Sequence, residues 1–198
     1  MAMGTSLFKP AASFRWQIIA AIILMFIAVA APAAEKNDDS FSRDEIVQRA
    51  SDFFALGNQG TALAVEKIFS EYGRPNAYIL GDEGSAAIGV GLRYGQGTLI
   101  RKNRPNVKVY WQGPSIGFDV GANASKSFTL VYNLRNTNEI FQRFPGIEGS
   151  YYFIAGIGVN YQQSGRIILA PMRNGIGLRT GVNAGYLSYS RERSLLPF

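Results

Sequence analysis

Arg93, Asp119, Asn160 and Arg179 occupy matching places in four glycine-rich segments. The segments are Gly89-Val-Gly-Leu-Arg-Tyr-Gly95, Ser115-Ile-Gly-Phe-Asp-Val-Gly121, Gly156-Ile-Gly-Val-Asn-Tyr-Gln162 and Gly175-Ile-Gly-Leu-Arg-Thr-Gly181. In a strand, side chains alternate between faces. One face of each segment therefore carries the small residues and then the polar one. A carboxylate among two guanidinium groups and an amide makes either a cross-strand ion pair or a polar ligand site. The ion pair is the simpler reading, and these four residues are the ligand-binding candidates. Catalysis through Asp119 would require a second poised group, and the sequence identifies none, so no catalytic residue is assigned. The G-x-G-x-x-x-G spacing precedes no helix, which removes the helix N-terminus that a phosphate cradle uses.

Composition narrows the chemistry further. The 198 residues contain no His and no Cys. The commonest general base, the commonest metal ligand and disulfide bonding are all absent, so neither a metal nor a cofactor is expected. Asp82-Glu83 lie between Gly81 and Gly84, which reads as a solvated hairpin turn. Basic residues gather at Arg101-Lys102, Arg104 and Lys108, and again at Arg191 and Arg193. They suit either an ordinary solvated surface or an anionic envelope surface.

The elements that must position these residues follow from periodicity. Ser42-Arg-Asp-Glu45 is a capping box that starts a helix running to Ala55. A second helix is expected over 61–72, stopped by Gly73 and Pro75. From Ala77 the pattern changes to period two. Strands are expected at 77–81, 86–95, 97–102, 107–112, 115–121, 126–134, 149–162, 165–171, 174–181 and 183–191, with a short helix inserted at 136–144. The fold class is mainly β: a small soluble antiparallel barrel of about ten strands, closed because closure removes exposed edges. The apolar face of the glycine-rich strands, with Leu92, Val159 and Leu178, is expected to fill the barrel interior. The glycine face would receive close approach by another element.

The N-terminus carries Lys9 and Arg15, then the apolar run Ile18–Val29, then Ala31-Pro32-Ala33. Positive start, short apolar middle and small-residue end make a secretory signal, cleaved after Ala33 or Ala34. Residues 1–34 are thus read as signal peptide, 35–41 as flexible leader and 42–198 as one domain. Without residues 1–34 the net charge falls from +6 to +4. Export and scattered charge argue against nucleic acid, and no long apolar segment remains to span a membrane in the mature chain.

Two long segments carry a family resemblance. Ala77-Tyr-Ile-Leu-Gly-Asp-Glu-Gly-Ser-Ala-Ala-Ile-Gly-Val-Gly-Leu-Arg-Tyr-Gly-Gln-Gly-Thr-Leu-Ile100 and Tyr110-Trp-Gln-Gly-Pro-Ser-Ile-Gly-Phe-Asp-Val-Gly-Ala122 resemble the envelope integrity protein A (EipA) family of alphaproteobacteria, as does Tyr186-Leu-Ser-Tyr-Ser-Arg-Glu-Arg193. The resemblance implies a periplasmic, non-enzymatic barrel that supports cell-envelope integrity. A more distant similarity to SYLF lipid-binding domains rests on Gly89-Val-Gly91, Tyr94-Gly-Gln-Gly97 and Pro114-Ser-Ile-Gly117. It implies a lipid, or another envelope component such as an anionic polymer, as partner. Two alternatives stand beside this reading: an envelope-modifying enzyme that uses carboxylates, and a small outer-membrane β-barrel. Pro197, near the aromatic terminus Phe198, counts against the latter.

Overall fold

Ser42 begins the first helix as its sequence requires. The Ser42 Oγ accepts from the Glu45 backbone N–H at 3.2 Å, and the Ser42 N–H donates to Glu45 Oε2 at 2.7 Å. Helix α1 (Arg43–Phe54) ends where Ala55 turns left-handed. Its buried stripe is Ile46, Ala50 and Phe54, spaced four apart. The preceding Phe41 is buried, and its N–H donates to the Pro75 carbonyl at 2.8 Å. The expected flexible leader is therefore anchored at its last residue. Helix α2 (Asn58–Tyr72) starts three residues earlier than expected and buries Ala64, Val65 and Ile68.

The computed structural model describes residues 39–55, 58–117, 123–174 and 185–194. The signal-peptide reading of 1–34, the leader at 35–38, Asp119, Arg179 and the segment Gly175–Gly181 lie outside them. Among the described residues the sheet has nine strands: β1 (Ala77–Ile100), β2 (Val107–Gly117), β3 (Asn123–Tyr132), β4 (Arg143–Pro145), β5 (Tyr152–Ile154), β6 (Ile157–Val159), β7 (Gln162–Ser164), β8 (Ile167–Asn174) and β9 (Tyr186–Ser190). All pairings are antiparallel, in the order β4-β9-β2-β1-β3-β8-β6-β5, with β7 also on β8. A single bridge, Gly146↔Gln162, links the chain after β4 to β7 and brings the curl round on itself. The fold is thus mainly β and barrel-like with two helices, as expected. The inserted helix is shorter than expected, a 3-10 turn over Thr137–Ile140.

Three expected strands, 77–81, 86–95 and 97–102, are one continuous strand. The first part of β1 pairs with β3, from Ala77↔Val131 to Ser85↔Asn123. The second part pairs with β2, from Gly89↔Gly117 to Leu99↔Val107. Drawn straight, Gly81 and Gly97 would stand about 53 Å apart at the usual strand rise. Instead their backbones touch: a Cβ on Gly97 would lie 2.2 Å from the Leu80 carbonyl oxygen and 3.0 Å from the Gly81 Cα. β1 therefore doubles back, and its two arms pack with no side chain between them at this crossing. Only glycine permits that approach.

Two apolar clusters pack against the sheet. Ile79, Leu99, Val109, Trp111, Leu169 and Tyr189 pack together inside the curl. Tyr78, Phe128, Leu130, Val159 and Met172 pack outside it, beneath Ile46, Phe54 and Ile68 of the helices. This reverses the expected assignment of faces. Gly95, Gly97 and the buried Arg93 lie inward, whereas Leu92 is exposed and Val159 faces the helices. The physical reason is the outer helix layer: it buries the apolar set of β3, β6 and β8 on the convex side. The concave side can then carry glycine and paired polar groups.

Gly97→Ala should lower the unfolding free energy by at least about 2 kcal/mol, since the added methyl meets backbone rather than a movable side chain. Leu63→Ala, at a position 48% exposed, should stay within about 0.5 kcal/mol of the parent. Urea denaturation compares the two.

Candidate functional site

Glu83 was expected in a solvated turn, and the structure overturns that reading. β1 runs straight through Gly81-Asp-Glu-Gly84, so adjacent residues face opposite sides. Asp82 is exposed, while Glu83 is 4% exposed and shares the inner face with Ile79 and Gly81. A carboxylate so placed needs partners, and it has them. Arg173 of β8 donates from Nε to Oε1 at 2.7 Å and from Nη2 to Oε2 at 3.1 Å. Trp111 of β2 donates from Nε1 to Oε2 at 2.8 Å. Arg93, on the returning arm of β1, brings its Nε to 3.4 Å from Oε1. Arg173 Nη1 also donates to Asn160 Oδ1 at 2.6 Å.

Two of the four candidates, Arg93 and Asn160, thus meet in one buried network. Asp119 and Arg179 lie outside the described residues. The centre of the network is the pair Glu83–Arg173, which the sequence reading missed. Arg173 falls between the strands expected at 165–171 and 174–181, and it is 3% exposed near the end of β8. The signal that marks Glu83 is the run Ile79, Gly81, Glu83 at spacing two, continuous with the inner face.

Burial by itself pushes the Glu83 carboxyl upward. The Arg173 and Arg93 charges, with the hydrogen bonds from Arg173 and Trp111, outweigh it and hold the group below the ordinary value of 4.5. Tyr189 packs its ring 5.8 Å from that of Trp111 and is raised above its ordinary value, by burial first and by the nearby Glu83 charge. Glu83 is therefore an ionised, fully engaged group rather than a poised base. The arrangement can orient neighbours; it does not offer a proton acceptor to a substrate.

A cleft of about 410 Å³ opens beside this network. Tyr94, Gln96, Tyr110 and Gln112, which alternation places on one face of the β1–β2 ribbon, line it together with Asp82, Ser190 and Arg193, and the buried Glu83 and Trp111 border it from the ribbon's other face. Tyr94 pairs with Gln112 and Gln96 with Tyr110 across β1 and β2, so rings and amides alternate in a two-by-two block. Arg193 crosses the rim and donates to Gln96 Oε1 at 2.9 Å. The basic cluster around the β1–β2 turn is largely occupied within the fold: Arg101 donates to the Leu134 carbonyl at 3.0 Å, and Lys102 reaches Glu45 at 3.3 Å.

The family model for "Envelope integrity protein A" matches residues 39–198. A crystal structure from Brucella abortus, described as a beta-barrel-like, uncharacterized protein, is 46% identical, with a TM-score of 0.74 over 81% of this chain and 99% of that one. No curated protein matches the chain.

Glu83→Gln should destabilise the fold by about 3–5 kcal/mol, because two buried guanidinium groups lose their counter-charge. The native carboxyl lies below its unfolded value. Its contribution is fully present above pH 4.5 and is lost as pH falls through the native value. Urea midpoints of the parent should therefore drop below pH 4.5, and those of Glu83→Gln should drop less steeply over the same range.

Proposed function

The chain belongs to the envelope integrity protein A family, and from that premise we propose that it is a periplasmic, non-enzymatic protein that supports the envelope by holding an envelope component in the cleft beside Trp111. The observation that carries the non-enzymatic reading is the saturation of Glu83. Among the described residues it is the one buried carboxylate, and its oxygens are taken by Arg173, Arg93 and Trp111. A carboxylate that must gain and lose a proton needs a value near the working pH; this one is held the other way.

The barrel centre is occupied by Ile79, Leu99, Val109 and Leu169. A lipid or other ligand would therefore sit in the cleft and not along the axis. The charge pattern of residues 1–34 supports export, and among the described residues no helix is long and apolar enough to cross a membrane. A spanning barrel presents an apolar band to lipid, whereas here two helices cover the convex face of β3, β6 and β8.

Deletion of the gene should sensitise cells to detergents and cell-wall drugs, with the intact gene restoring resistance; a deletion strain of normal resistance would sink the envelope role. The protein recovered from the periplasmic fraction should begin at Ala34 or Glu35 by mass spectrometry. A retained residue 1 would refute cleavage.

A further inference from the structure

The cleft has a chemistry more specific than "envelope component". Its walls alternate aromatic rings with side-chain amides: Tyr94 beside Gln112, and Gln96 beside Tyr110. An aromatic ring offers a flat apolar face with a polar tip. A primary amide offers donors and an acceptor in one plane. A sugar ring needs this pairing, because it carries C–H groups on its faces and hydroxyls around its edge. Building on the cleft reading above, we infer that the cleft is a saccharide site that takes uncharged sugar rings of an envelope glycan.

Two contacts hold the walls in place before any ligand arrives. Arg193 donates to Gln96 Oε1 at 2.9 Å, which turns the amide so that its Nε2 donor end faces away from Arg193. The Lys108 ammonium lies 5.3 Å from the centre of the Tyr110 ring and steadies it. Side chains already ordered cost less to immobilise on binding.

The competing occupants fit less well. An acyl chain against Gln96, Gln112 and Asp82 would strip water from polar groups without replacing their hydrogen bonds. An anionic headgroup calls for a cation cluster, yet the lining carries Arg193 alongside Asp82 and Glu83. The volume, about 410 Å³, lies in the range of small-ligand pockets. Exposed Gln96 and Arg193 at the rim leave room for a longer chain to continue outward.

The test uses the full chain produced in an exporting host and purified as recovered. The probes are a tetramer of N-acetylglucosamine, maltotetraose, and vesicles of phosphatidylethanolamine with phosphatidylglycerol, followed by calorimetry. At least one oligosaccharide should bind saturably, and Tyr110→Ala and Gln96→Ala should each weaken it about tenfold or more. Gln96 is exposed, so that variant should keep the parent's melting temperature, and it separates lost contact from lost fold. Saturable binding to the vesicles alone would replace the sugar with a lipid. Binding to none of the three, in a protein whose deletion still sensitises cells, would overturn the saccharide site and leave the envelope role standing. Sugar binding in a protein whose deletion has no phenotype would do the reverse.

Discussion

Burying Glu83 inside the curl constrains every strand around it. An ionised carboxylate in an apolar interior is costly unless charge and hydrogen bonds surround it. Here the required groups come from separate places: Arg93 from the returning arm of β1, Trp111 from β2, Arg173 from β8, and Asn160 from the chain after β6. Each must arrive in register for the carboxylate to be satisfied. A slip of one residue in any of those strands would turn its polar group to the other face. The network therefore specifies the arrangement of strands more than it adds net stability, because a buried ion pair returns little beyond its own desolvation.

That constraint rests on an earlier one. Glu83 leaves water only because β1 folds over itself, and β1 folds over itself only because Gly81 and Gly97 let two backbones touch. Trp111 then lies across the glycines: a Cβ on Gly95 would fall 2.0 Å from its ring, and one on Gly81 would fall 2.6 Å from it. Small residues on one arm make the room that the largest side chain on the neighbouring strand fills. The indole is thereby brought within hydrogen-bonding reach of Glu83. Backbone freedom, aromatic packing and charge pairing are three steps of one sequence, and the cleft forms where the arms diverge beside it.

What the sequence made legible was local. The capping box at Ser42 and the change to period two at Ala77 are found in the structure, and Arg93 and Asn160 join one network through Glu83 and Arg173. Alternation defines two faces of a strand but does not say which lies inside. Over β3, β6 and β8 the helices bury the convex face as the barrel core buries the concave one. On the returning arm of β1, Leu92 is exposed and Arg93 buried, the opposite of the expected places. Turn chemistry misled in the other direction. Gly81-Asp-Glu-Gly84 has turn composition yet lies mid-strand, its glycines serving a backbone crossing. The expected strand 149–162 breaks at Ala155, which adopts φ 46° next to Gly156 at φ 92°. An alanine there gives no turn signal, because the left-handed conformation costs it energy that surrounding contacts must offset.

The same network stiffens the ribbon that carries the cleft. Trp111 stands between the two: its Nε1 is tied to the buried carboxylate on the inner face, while its neighbours Tyr110 and Gln112 turn to the other face and line the cleft. Moving the indole would break a hydrogen bond to an ion that has no access to water. The strand that carries Tyr110 and Gln112 is consequently held in place, which favours recognition of a ligand by shape and by fixed hydrogen-bonding directions. Acid–base chemistry would ask for the opposite property, a group whose charge changes during the reaction. Glu83 is locked in its ionised form by Arg173 and Arg93, and releasing it would undo the register of the strands that build the cleft. In this protein, the charge pairing that sets the register of the strands also fixes the backbone from which the rings and amides of the cleft project.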